Sequence, residues 1–306
     1  MNYYKIKRKY LQLYKIYILV ILANVFWGFS FVWSDIALNI SHIAPITLVL
    51  SRMVVATIFL GAWAKYTKNL QKIERKHIKY FIGLAFCEPF LYFILELYGQ
   101  TMVSPTVTSV IIATIPLFMP VMAFVFYREK VNLATIIGIA VSMMGVLAVI
   151  FSGNSSISGQ ILGAVLIFGA VLSALGYNVF VKYIIHRYNS TTLVFYQNLI
   201  GLIMFVPCFF IVDFAHLGKM NFDFRAISAI LQLSIFASVL AFIFHSKAVK
   251  VLGITKAGVF CYLIPVLTSI AAFFMVNERL TIIQWLGMAI VILGLFISQI
   301  TKKNNK

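Results

Sequence analysis

Apolar runs of about twenty residues, separated by short polar stretches, repeat along the whole of this 306-residue chain. A helix rises about 1.5 Å per residue, so about 20 apolar residues cross the hydrocarbon layer of a bilayer. By that rule spans are expected near residues 16–36, 46–64, 79–98, 103–126 and 133–151. A second set follows near 160–181, 192–213, 226–247, 256–276 and 282–300. The longest connection, Asp213 to Arg225, is too small for a soluble catalytic domain. The pattern predicts an all-α integral membrane protein of ten transmembrane helices. Lys5, Lys7, Arg8, Lys9 and Lys15 ahead of the first run resemble the start of a secretory signal. The apolar stretch from Ile16 to Trp33 is too long for a typical signal core and no small-x-small site follows, so it reads as a span that stays.

Composition agrees with the pattern. Hydrophobic residues make up 62% of the chain and charged ones 11%, against about a quarter charged in an ordinary soluble domain. The net charge of +17 would suit a nucleic-acid binder, but Lys and Arg cluster between the apolar runs, where cytoplasmic loops carry positive charge. No nucleic-acid partner is expected. With the N-terminus inside, the tail, the loop carrying Lys65, Lys68, Lys72, Arg75, Lys76 and Lys79, and the remaining basic connections put 21 cations in the cytoplasm. Lys219, Arg225 and Arg279 fall outside, and Arg52 lies within a span. This bias places both termini in the cytoplasm of a multi-pass protein of the cell (inner) membrane. Cys87, Cys208 and Cys261 lie far apart inside apolar runs with no metal-ligand spacing, which suits packing. No cofactor is expected.

The chain repeats itself. At an offset of 149 residues, Thr106 falls on Thr255, Ile115-Pro116 on Ile264-Pro265, Glu129 on Glu278, Gly138 on Gly287 and Gly145 on Gly294. Slightly different offsets match Thr47-Leu48 and Arg52 with Thr192-Leu193 and Gln197, and Trp27-Gly28 with Leu175-Gly176. Two five-helix repeats, 16–151 and 160–300, follow. Five is odd, so the second enters the membrane inverted, a recurring plan of secondary transporters with the substrate site near the midplane between halves. Trp27-Gly28, Arg52 and the doubled Pro-(x12)-Glu-(x8)-Gly-(x6)-Gly element resemble the EamA family of the drug/metabolite transporter superfamily. The resemblance runs over roughly 16–300. It implies ten helices, cytoplasmic termini and transport of small metabolites or drugs, often outward.

Charge inside a bilayer costs about 2.5–3.5 kcal/mol per residue at a helix centre on insertion scales. Arg52 on the second span and Glu88 and Glu96 on the third are therefore the foremost candidates for a substrate site. Eight residues separate the two carboxylates, about 80° around a helix, so they can share one face. Two readings stay open: a polar cavity in which Glu88 takes up a proton or solute, and a structural Arg–Glu pair between helices. Pro89 removes a backbone hydrogen bond and predicts a kink beside Glu88. Weaker candidates are Asn24 and Trp27, Tyr92, Asn178, Gln197 and Tyr262, because polar groups here need a partner helix or a solute. His245, beside Lys247, reads as interfacial. Glu129 and Glu278 read as caps or pairs at helix connections, and the Gly138/Gly145 and Gly287/Gly294 stripes as packing seams.

These residues predict a secondary transporter of a small organic solute, and the family resemblance implies export. One Arg against two Glu gives no strongly cationic cavity, so neutral, zwitterionic or cationic solutes are preferred to phosphorylated ones. A polytopic membrane enzyme would want a His cluster at one surface, and the five histidines are scattered. A non-transporting scaffold would not need charge at mid-membrane. Expected partners are the solute and the lipid bilayer, with a homodimer left open.

Overall fold

A computed structural model describes residues 2–128, 131–152 and 157–298, with side chains from residue 13 onward, Tyr127 excepted. Among the described residues there are helices and no strands. Nine segments are long and apolar enough to cross a membrane: α1 (Leu13–Ile40), α2 (Pro45–Thr67), α3 (Arg75–Gln100), α4 (Pro105–Phe126), α5 (Leu133–Phe151), α6 (Ile157–Ile184), α7 (Ser190–Lys219), α8 (Phe224–Leu252) and α9 (Ile254–Val276). A shorter apolar helix follows, α10 (Ile282–Ser298).

Local chemistry sets where the helices begin. Pro45 and Pro105 occupy first-turn positions, where a missing N–H costs nothing. Ser104, Asn132, Asn189 and Asp223 each accept a first-turn N–H with the side chain. Two boundaries differ from the sequence expectation. The first helix reaches back to Asn2 rather than starting near residue 16. The chain after Asp213 stays helical through Phe214–Lys219, so the expected long connection shrinks to residues 220–223.

Polar contacts gather the connections into two groups. In one, Gln71 N–H donates to Thr192 Oγ1 at 2.9 Å, His77 Nδ1 lies 2.7 Å from the Tyr188 hydroxyl, and Lys250 Nζ donates to the Tyr188 carbonyl. In the other, Ser41 Oγ donates to Asp223 at 3.0 Å, the backbone and hydroxyl of Thr47 donate to Asp213 at 2.7 and 2.8 Å, and Thr106 Oγ1 donates to Glu278 at 2.9 Å. The first group holds most of the described cations and is called the basic face; the second is the far face. Among the described residues the ion pair within 4 Å is Lys76–Glu74, on the basic face.

The most extensive helix pair is α5 with α10. A Cβ built on Gly138 would lie 2.5 Å from the Gly294 carbonyl, and one on Gly145 2.6 Å from the Gly287 carbonyl, so only hydrogen fits between the two backbones. The contact is reciprocal under the repeat, since Gly287 and Gly294 are the counterparts of Gly138 and Gly145. Two segments with wide, π-type turns interrupt α3 and α8, at Phe86–Leu91 and Leu233–Ala241. They too fall at corresponding places in the repeats.

Candidate functional site

The break in α3 follows from its sequence. Pro89 crowds the residue before it and drives Glu88 out of helical geometry, to φ −146° and ψ 116°. The Glu88 side chain thereby turns into a cavity between the halves that holds about 820 Å³ of empty space, its mouth included. Trp27 reaches the same cavity because Gly28 lets α1 close on α9: a Cβ there would lie 2.8 Å from Leu267 Cβ, and Thr268 Oγ1 donates to the Gly28 carbonyl at 2.8 Å.

Six of the sequence candidates line this cavity: Trp27, Arg52, Glu88, Tyr92, Glu96 and Asn178. Arg52 and Glu96 are each only 3% exposed, whereas Glu88 is half-buried and open to the space. Arg52 is held on two sides. Its Nε donates to Ser238 Oγ at 2.5 Å, and its guanidinium lies 4.2 Å from the centre of the Phe93 ring. The Arg52–Glu pair left open by the sequence is therefore not a contact ion pair among the described residues. Arg52 and Glu96 thus line the cavity from buried positions, and Glu88 is the more open of the two carboxylates.

Three candidates lie outside the lining. Asn24 is fully buried, donates to the Val20 carbonyl and leaves its Oδ1 without a partner. Gln197 is buried on α7 with Oε1 unpartnered. Tyr262 turns toward α10, its ring 6.3 Å from that of Phe296. Glu278 accepts from Thr106 Oγ1 at the start of α4, as a connection residue, and Glu129 lies outside the described residues.

Other lining residues were not singled out by the sequence reading. His245 faces the cavity: its ring packs 4.9 Å from that of Trp27, and its Nδ1 is buried without a hydrogen-bond partner. Cys261 packs against the core and also stands in the cavity wall. The repeat explains both. At the offset of 149, Phe93 corresponds to Phe242, Glu96 to His245, Ile112 to Cys261 and Ile115 to Ile264, and all eight line the cavity. The cavity sits where equivalent residues of the two halves face each other. The first half contributes all its formal charge, while Gln197 and His245 replace Arg52 and Glu96 in the second.

A membrane-embedded helical bundle with a polar-floored cavity between two pseudo-symmetric halves is the architecture of a carrier. The family model of the EamA-like transporter family matches the chain twice, over residues 14–151 and 161–299, and the chain belongs to that family. It is 26% identical over 289 residues to a protein of Archaeoglobus fulgidus named "Uncharacterized transporter", covering 92% of this chain and 98% of that one. It is 26% identical over 244 residues to "Uncharacterized transporter YetK" of Bacillus subtilis, covering 77% and 72%. A solved crystal structure with a TM-score of 0.65 and 14% identity, covering 91% of this chain and 98% of the other, has the same fold.

Proposed function

We propose that this protein is a secondary carrier that moves a small organic solute out of the cell, with the cavity between its halves as the binding site. In this reading the chain crosses the cell (inner) membrane ten times, in two five-helix units at 16–151 and 160–300. The basic face and both termini are cytoplasmic, as the positive-inside bias requires. The observation that carries the proposal is Glu88, a half-buried carboxylate at the break of α3, facing an otherwise mainly apolar cavity. A carboxylate partly shielded from water is costly to keep charged, and a proton or a cationic group of the solute relieves that cost. One Arg against two Glu in the lining makes neutral, zwitterionic and cationic solutes suit the site better than anionic ones. Trp27, Tyr92 and Asn178 supply aromatic faces and an amide for the solute's body.

The test has two arms. A comparison of metabolites inside and outside cells with and without the gene identifies the solute. Flux of that solute in proteoliposomes is then measured at two pH values for wild type and Glu88→Gln. Gln fills similar space without titrating, so a folded variant with flux reduced at least tenfold, or with its pH response lost, is expected. Unchanged flux and pH response would remove Glu88 from the site. Orientation is tested separately: Lys68→Cys should be labelled only from the cytoplasm and Lys219→Cys only from outside, and the reverse would overturn the assigned topology.

A further inference from the structure

Six buried side-chain atoms among the described residues lack a hydrogen-bond partner, and five of them lie in the half of the bundle nearer the basic face. They are Asn24 Oδ1, Thr57 Oγ1, Gln197 Oε1, His245 Nδ1 and Ser246 Oγ. The sixth, Gln100 Oε1, is at the far end of α3. Buried polar groups in native proteins are otherwise nearly always paired, so a local cluster of orphans calls for a reason.

The packing registers place the five at similar depth. Helices α2 and α7 run antiparallel, with Gly201 near Met53 Sδ and Gly61 near the Phe195 ring, which sets Thr57 level with Gln197. Helices α2 and α8 run parallel, and the Arg52–Ser238 bond sets Thr57 about one turn above Ser246. Helices α1 and α8 run antiparallel, and the Trp27–His245 contact sets Asn24 beside Ser246. The four helices pack on one another as α1–α8, α2–α8, α2–α7 and α7–α8. His245 belongs to the cavity wall, so the cluster begins where the cavity ends.

We propose that the route between the cavity and the basic face runs between α1, α2, α7 and α8, along Asn24, Thr57, Gln197, His245 and Ser246. The route is shut in this structure, which leaves its polar groups unpaired. When it opens, water or the polar part of the solute supplies the missing partners. A packing interface meant to stay closed pairs its polar groups, as the α5–α10 seam does when Ser142 donates to the Val291 carbonyl. The inference rests on the carrier reading, and it gives Asn24 and Gln197, which miss the cavity, a place on the path.

The experiment reads access rather than flux. In a variant with Cys87, Cys208 and Cys261 replaced by Ala, Thr57→Cys, Ser246→Cys and Ile58→Cys are each treated with the membrane-impermeant methanethiosulfonate ethylsulfonate. Ile58 is the neighbour of Thr57 and faces outward, 67% exposed on the helix surface. Thr57→Cys and Ser246→Cys should react at least tenfold faster than Ile58→Cys, and only from the side on which Lys68→Cys is labelled. Rates no faster than Ile58→Cys, or reaction only from the Lys219→Cys side, overturn the route even if wild type transports. Side-specific labelling in a protein that transports nothing keeps the route and removes the carrier reading. Each variant is first checked for a monodisperse elution profile, and a second pair, Asn24→Cys and Gln197→Cys, replaces any that fails.

Discussion

Ser142 donates its hydroxyl to the carbonyl oxygen of Val291 at 3.0 Å, and Val291 lies 149 positions on, at the place the repeat assigns to Ser142 itself. Positions related by a two-fold operation meet only where the axis passes. The pseudo-symmetry axis of the molecule therefore runs through the α5–α10 seam.

The seam should tolerate almost no added volume. A Cβ on Gly145 would lie 2.6 Å from the Gly287 carbonyl, and one on Gly294 2.4 Å from Ser142 Oγ. Gly145→Ala or Gly294→Ala should each cost about 1–3 kcal/mol by overpacking, and the Leu variants should fail to fold. Gly218, with nothing within 4 Å of its built Cβ, serves as the control. Thermal unfolding in detergent checks this, and equal midpoints for Gly145→Ala and Gly218→Ala would remove the seam from the account.

Arg52 should depend on Ser238 and Glu96 together. Ser238→Ala leaves the buried Nε without its acceptor, a loss of about 1–3 kcal/mol. Arg52→Gln should destabilise further because Glu96 then stays buried without the charge that balances it. Adding Glu96→Gln to Arg52→Gln should recover part of the loss, so a double-mutant cycle on thermal midpoints yields a coupling above about 0.5 kcal/mol. Strict additivity would show that the two charges do not sense each other.

Two carboxylates outside the spans should respond to pH in opposite directions. The Ala226 N–H holds Asp223 below the ordinary 3.8, with the Ser41 hydroxyl assisting. Its stabilising effect is present above 3.8 and fades as pH falls through the lowered value in the folded state. Burial pushes Glu278 above the ordinary 4.5 against its bonds to Ser104 and Thr106, with Asp35 adding to the rise. Its contribution is full below 4.5 and is lost as pH rises through the raised value. Asp223→Asn should therefore lower the midpoint more at pH 7 than at pH 3.5, whereas Glu278→Gln should raise it at pH 7 and lose that advantage at pH 3.5. Midpoints at pH 7, 5 and 3.5 decide it; shifts of the same sign at pH 7 would contradict the assignment of one of the two.

The apolar spans and the charged residues of the cavity lining were legible because each leaves a signal that lipid enforces. Arg52, Glu88 and Glu96 stand out against apolar helices, and Pro89 announces the break that aims Glu88. The rest of the wall was not legible in the same way. Phe93 and Phe242 look like any of the 28 phenylalanines. His245 sits beside Lys247, which reads as an interface until Trp27 is found packed on its ring. Asn24, Gln197 and Tyr262 are polar like the true lining residues but point elsewhere on their helices, and polarity alone carries no azimuth. The repeat held an unused clue, because carrying Glu96 forward by 149 residues arrives at His245.

The contacts of Thr47 and Thr192 have a mechanical consequence. At the far face Asp213 grips Thr47, joining the end of α7 to the start of α2. At the basic face Gln71 and Asn69 grip Thr192 and Asn189, joining the end of α2 to the start of α7. Two rods pinned at both ends cannot scissor apart; they can only bow, twist or travel together. The α2–α7 pair is thus a strut of fixed length spanning the bundle, and any change of shape that opens one mouth must hinge on the helices around it.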